Sequence, residues 1–152
     1  MPKAAVQTSS VRAFSKADYE KLAAWRYSLR RFLRFSEEAT SEAGVTPQQH
    51  QALLAVQGMP GREELTVGEL AERLQLRHHS TVELVDRLET AGLMKRAVSA
   101  EDGRQVLLTV TAKGLRLLEK LTAVHRAELK RVGPELAAVL SAVVTAAQEE
   151  GA

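Results

Sequence analysis

The stretch "LQLRHHSTVELVDRLETAGL", residues 74 to 93, decides how this chain folds. Leu84, Val85 and Leu88 recur at the steps that mark one side of a helix, and Gly92 supplies its stop. That helix nevertheless opens on Arg77, His78, His79, Ser80 and Thr81, polar residues that no core requires. Just upstream, "LTVGELAERLQL" (65 to 76) places Thr66 and Glu69 in the S/T-x-x-E order of a capping box, so a short helix starts there and ends near Leu74. Leu70, Ala71, Leu74, Leu76 and Leu84 fall where two short helices crossing steeply must interlock, with Ala71 small at the closest approach. This is helix-turn-helix spacing, with Gln75 standing where a turn glycine is usual.

Working outward, "LMKRAV" (93 to 98) and "RQVLLTV" (104 to 110) read as two strands joined by "SAEDG", with Gly103 available for positive φ. Thr111 caps a long helix over 112 to 132, in which Leu115, Leu118, Leu121, Leu129 and Val132 form an apolar side. Gly133 and Pro134 break that helix and are a candidate hinge, and Pro134 opens the next one. The last helix carries Leu136, Val139, Leu140, Val143, Val144 and Ala147, a stripe with little of its own lobe left to cover it, which points to a second copy of the chain. On the N-terminal side, Leu22, Trp25, Leu29, Phe32, Leu33 and Ser36 mark an amphipathic helix from Lys16 to about Ala39. Thr46 and Pro47 then start a helix that Gly58 closes, followed by the loop "MPGREE". The fold class expected is mainly α with one small β-hairpin.

The totals agree with one folding unit. The chain has 152 residues, 45% of them hydrophobic and 26% charged, which is too much apolar content for disorder. With no cysteine, disulfides and thiolate metal sites are excluded, and a reducing cytoplasm is the expected location. The start "MPKAAVQTSSVRAFSK" lacks the apolar centre of a signal peptide, and the run at 136 to 147 is too short to span a bilayer, so no membrane segment is expected. Adjacent His78 and His79 point about 100° apart on a helix and have only Glu83 at a helpful spacing, so no metal site is expected. No phosphate-binding glycine loop, nucleophile elbow or carboxylate dyad is present, so no enzyme and no cofactor are expected.

With Leu84, Val85 and Leu88 turned to the core, the first turn of their helix presents donors and a positive helix end to solvent, a combination suited to phosphate and base-edge contact. In the hairpin, Arg104 is placed to reach a minor groove, with Asp102 orienting it. Net charge gives no such hint. Between 77 and 104, five bases (Arg77, Arg87, Lys95, Arg96, Arg104) meet five acids (Glu83, Asp86, Glu89, Glu101, Asp102), so only their distribution by face can favour DNA.

Taken together, "LVDRLETAGLMKR", the turn "EDGR" and the following "VTAKG" resemble the winged-helix core of the MarR family of bacterial regulators, and the flanking helices match that family's order over most of the chain. The resemblance implies a winged helix-turn-helix core plus a helical dimerisation region: an N-terminal arm (1–15), N-terminal helices for dimerisation and support (16–60), a DNA-binding lobe (61–111) and C-terminal helices (112–152). It also implies a homodimer that reads a palindromic operator in double-stranded DNA and, as a repressor, answers to a small anionic or phenolic effector. Carried over by position, Arg77, His78, His79, Ser80, Thr81 and Val82 open the recognition helix, Arg87 lies later on it, and Asp102 and Arg104 form the wing pair. The chain departs from the pattern at Glu83 and at Gly103, each where many members carry a more DNA-friendly residue, often arginine.

Two further groups stand out. "WRYSLRRFLRF" (25 to 35) interleaves aromatics with a stripe of Arg26, Arg30 and Arg34. A solvated face explains it; the sharper reading makes Trp25, Tyr27 and Arg30, together with His50 on the second helix, candidate ligands for an anionic effector. His125 reads as structural. A winged helix that binds protein rather than DNA is the competing function, supported by Glu83 and the balanced charge.

Overall fold

The computed structural model describes residues 13–151, so most of the N-terminal arm lies outside it. Its elements are α1 (Lys16–Glu42), α2 (Pro47–Gln57), α3 (Val67–Leu74), α4 (His78–Thr90), β1 (Met94–Val98), β2 (Val106–Val110) and α5 (Ala112–Glu150). The chain divides into two compact units, one of residues 33–131 and one built from the two ends, up to Phe32 and from Val132.

The core of the first unit is a single cluster. Ala52, Leu53 and Val56 from α2, Leu70 from α3, Leu84, Val85 and Leu88 from α4, Met94, Leu108 and Leu118 from the segments beyond, and Leu65 ahead of α3 are all buried together. Each such leucine or valine contributes about 1.5–3 kcal/mol by leaving water. Leu74 and Leu76 pack against this cluster half-buried, so the interlocking expected of two crossing helices is present. β1 and β2 pair antiparallel from Met94↔Val110 to Val98↔Val106. Leu65 adds a third, one-residue rung: its amide and carbonyl exchange hydrogen bonds with Leu108 at 3.2 and 2.7 Å. No sequence pattern flags that rung, because one paired residue has no period.

Local chemistry explains the element ends. Thr46 and Gln49 close a capping box on α2, with Pro47 in the first turn. Gly92 stops α4 at φ +72°. Thr111 starts α5, accepting from the Gly114 amide at 3.0 Å while donating to the Gly92 carbonyl at 2.6 Å, so one side chain ties the end of α4 to the start of α5. Gly114 is required by packing: a Cβ there would lie 2.2 Å from the Leu93 carbonyl oxygen.

Two expectations are corrected. α5 runs unbroken through Gly133 and Pro134. Proline lacks one amide and fixes φ near the helical value, so inside a helix of 39 residues the bonds on either side keep the chain helical. There is no break at 133–134 for a hinge to use. Gly103 does not take positive φ; among the described residues only Gly44, Gly61, Gly92 and Gln75 do. The wing turn is built from one side-chain and one backbone acceptor instead: the Glu101 and Asp102 amides donate to Ser99 Oγ at 3.3 Å each, and the Gln105 amide to the Asp102 main-chain carbonyl at 3.0 Å.

In the terminal unit, α1 and α5 leave large apolar side chains in solvent, among them Tyr19, Leu22, Leu140 and Val144. Phe14, Tyr19, Leu22, Val143, Ala146 and Ala147 line an apolar groove. Among the described residues no helix is long and apolar enough to cross a membrane.

Candidate nucleic-acid interface

α3 and α4 meet through a tight connection that explains how the N-terminal end of α4 is aimed. Gln75 adopts the left-handed conformation (φ 54°, ψ 43°), its amide donates to the Glu72 carbonyl at 3.1 Å, and the Leu76 amide reaches the Ala71 carbonyl at 3.0 Å. That pair of bonds is the arrangement glycine usually permits. Glutamine supports the turn with its side chain, whose amide donates to the same Glu72 carbonyl at 2.8 Å and so adds a second bond to that acceptor of the helix end. The sequence expectation that Gln75 fills the glycine position therefore holds.

α4 begins at Arg77, which is extended (φ −67°, ψ 149°) and makes no side-chain capping bond. The Thr81 amide finds the Arg77 carbonyl at 3.1 Å. The amides of the preceding turn, at 78, 79 and 80, are the ones a helix leaves without intrahelical acceptors, and together with the macrodipole they favour an anion. Around this end Arg77, His78 and His79 are exposed, and Ser80 and Val82 are half-buried. Thr81 is a correction: it is fully buried, and its hydroxyl donates to the Arg77 carbonyl at 3.0 Å, so the side chain packs inward and braces the helix start. At one position per 100°, Thr81 lies on the same side as Leu84, Val85 and Leu88, a periodicity that its hydroxyl obscured.

In the wing, Arg104 and Asp102 are exposed and linked, though not as expected. Asp102 Oδ1 accepts from the Arg104 backbone amide at 3.1 Å, so the carboxylate shapes the turn and leaves Arg104 exposed.

Sorting charge by partner resolves the even count. Asp86 and Glu89 both accept from Arg96, at 2.6 and 3.1 Å. Glu83 lies 3.8 Å from His79 Nε2. Arg77, Arg87, Lys95 and Arg104 are exposed, and none of their side chains has an ion-pair partner among the described residues. Arg96 is thus committed to two acids, while Arg77, Arg87, Lys95 and Arg104 keep their charges open to solvent. Among the described residues no group of three or more metal-ligating side chains forms.

The candidate effector residues are distributed between the two units. In the terminal unit Trp25 is half-buried, and Tyr27 and Arg30 are exposed; the Tyr27 ring carries Arg31, at 5.6 Å, rather than Arg30. His50 belongs to the other unit and is 3% exposed. There it meets His125, ring centroids 4.8 Å apart, and the Phe35 ring edges His125 at 5.9 Å. His125 Nδ1 lies 2.6 Å from the Leu121 carbonyl, which can only accept, so Nδ1 carries a proton. In the neutral ring Nε2 then accepts from the Ser36 hydroxyl, 2.8 Å away. His50 Nδ1 is buried with no hydrogen-bond partner among the described residues. Burial first, and the facing His125 second, hold the His50 imidazole below its usual pKa. This cluster was missed in the sequence because residues 36, 50 and 125 share no spacing.

Comparison with known proteins fits this geometry. Residues 43–105 match the model of the MarR family. The chain is 34% identical over 104 residues to the organic hydroperoxide resistance transcriptional regulator of Bacillus subtilis (strain 168), covering 66% of this chain and 69% of that protein. It is 30% identical over 84 residues to the HTH-type transcriptional regulator PapX of Escherichia coli, covering 55% of this chain and 51%, about half, of that relative's length. A MepR–DNA complex from S. aureus shares the fold, with a TM-score of 0.59 at 22% identity over 78% of this chain and 96% of that one. A winged helix-turn-helix flanked by long helices, matched in sequence across residues 43–105, identifies the chain as a member of the MarR family.

Proposed function

We propose that the protein regulates transcription by binding duplex DNA as a homodimer, with the N-terminal turn of α4 in the major groove and the wing, led by Arg104, in the adjacent minor groove. The observation that carries this reading is the uncapped start of α4, where open amides, Arg77, His78 and His79 share one exposed end. Further support comes from the MepR neighbour, which is a complex with DNA, and from the two relatives, both named as transcriptional regulators. Arg87 and Lys95 add phosphate contacts, and Ser80 and Val82 line the approach. Two such ends, one per protomer, read half-sites about 34 Å apart on one face of the duplex. The apolar groove of the terminal unit is the surface that a second copy covers. Repression relieved by a small anionic or phenolic effector completes the reading, and a cytoplasmic location suits a chain without cysteine.

The test is an anisotropy titration of a labelled duplex, selected by the protein from a random pool, at two salt concentrations, with sedimentation of the free protein alongside. Binding that weakens steeply with salt and outcompetes unselected DNA is expected from a dimer. A monomer, or equal affinity for every duplex, rejects the reading. A protein-binding winged helix predicts indifference to DNA altogether.

A further inference from the structure

The outward face of α4 is poorly suited to DNA in its bare sequence. Counting 100° per residue from His79, Glu83 and Asp86 follow on the same exposed side, and Glu89 lies at its edge. Three carboxylates on a helix that approaches two phosphate strands would repel them. The structure answers this with one residue. Arg96, on β1, reaches across to α4: its Nη2 donates to Asp86 Oδ1 at 2.6 Å, its Nη1 to Glu89 Oε1 at 3.1 Å, and its backbone amide to Glu89 Oε2 at 3.2 Å. The guanidinium side chain is 26% exposed, against 60% for Asp86 and 45% for Glu89, so Arg96 is the better-packed member of the trio.

We infer that Arg96 is a positioning and charge-masking residue: it contacts no DNA, holds the root of the wing to the recognition helix, and offsets one of the two negative charges of Asp86 and Glu89 so that α4 can approach phosphate. This rests on the DNA-binding reading above. Arginine suits the task because its planar fork serves two carboxylates at once while remaining charged at any relevant pH. Lysine would offer a point charge to one of them. The bond from the Arg96 amide to Glu89 also ties strand to helix independently of the side chain, so removing the guanidinium leaves the wing attached. The masking can therefore be removed without dismantling the hairpin.

The experiment compares Arg96→Gln, Arg96→Lys, the pair Asp86→Asn with Glu89→Gln, and the triple variant, using the duplex selected by the unaltered protein at low and high salt. Masking expects Arg96→Gln to weaken binding about tenfold at low salt and less at high salt. Arg96→Lys should fall between, and the triple variant should return to within about threefold of the unaltered protein, because the charges that needed cover are gone. The Asp86/Glu89 pair alone should bind at least as tightly as the unaltered protein, which keeps the test valid if Arg96→Gln does not fold. A triple variant that stays weak, with a salt slope reduced by about 0.9, would mean that Arg96 touches a phosphate and would overturn the masking role. A loss equal at both salts and not rescued would mean a structural clamp only, and masking would be overturned in that case too. If the unaltered protein selects no duplex, the DNA reading itself fails, an outcome distinct from Arg96→Gln binding normally, which sinks only the masking.

Discussion

The two helices of the helix-turn-helix begin in opposite ways. α3 is sealed: Thr66 Oγ1 accepts from the Glu69 amide at 3.2 Å, Glu69 Oε2 accepts from the Thr66 amide at 2.9 Å, and Arg62 holds the other Glu69 oxygen. The Arg62 hydrogen bond, followed by the Thr66 amide, holds the Glu69 carboxyl below its usual pKa. α4, a few residues later, has no side-chain cap. A missing cap costs about 1 kcal/mol of helix stability. The chain carries that cost at the one end that faces a phosphate backbone in the proposed complex, and nowhere else among α2, α3 and α4. Unsatisfied amides at a helix start are a defect when the helix supports a core and a binding group when an anion is the partner.

This contrast can be broken at several strengths. The largest effect is expected in the frame that aims both helices. Gly114→Val drives a Cβ into the Leu93 carbonyl and the Val110 side chain, and should cost about 3 kcal/mol or more in chemical denaturation, taking DNA binding down with the fold. Next, Arg77→Ala and Arg104→Ala should each weaken selected-duplex binding by about 1–3 kcal/mol in anisotropy titrations. Their denaturation midpoints should hardly move, since both side chains are exposed; a matching loss of stability would erase the distinction between sealed and open ends. The sharper version exchanges the two ends. Thr66→Ala should lose about 1 kcal/mol of stability and keep its DNA affinity, whereas Arg77→Asp, which supplies a cap and a negative charge at the helix start, should gain stability by up to about 1 kcal/mol and stop binding duplex.

The smallest effect concerns pH. His50 has its folded pKa depressed below the ordinary 6.5, so its contribution to stability is complete above that value and is lost as pH falls through it toward the folded pKa. His50→Leu should flatten the fall in melting temperature over that window and, because the substitution also removes the unpartnered Nδ1, should not lower the melting temperature on the alkaline side. An unaltered acid slope in that variant would move the titration to another group.

How much of this was legible depends on the range of the interaction. The caps at Thr46 and Thr66, the stop at Gly92, the glutamine in the turn and the two wing strands are local, and each follows from a few neighbouring residues. Errors arose where a local rule met a longer context. Pro134 looked like an end but sits inside a helix long enough to absorb it, and Thr81 looked like a contact because its hydroxyl hid an inward-facing position. Arg96 was counted as one base among five, although two acids ten and seven residues before it consume its charge.

Order and type of element as far as the start of α5, the helix-turn-helix spacing and the MarR resemblance were determined by sequence alone, since hydrophobic period, capping chemistry and turn residues act within a few positions. Which charges remain available to a partner, which histidines meet and which threonine is buried were decided only by the tertiary structure. Those outcomes depend on the distance between groups that the chain does not hold together: Asp86 and Arg96 across a helix–strand gap, and Ser36, His50 and His125 on three different helices. Electrostatic and hydrogen-bond energies fall steeply with that distance, so no count of residues can replace it.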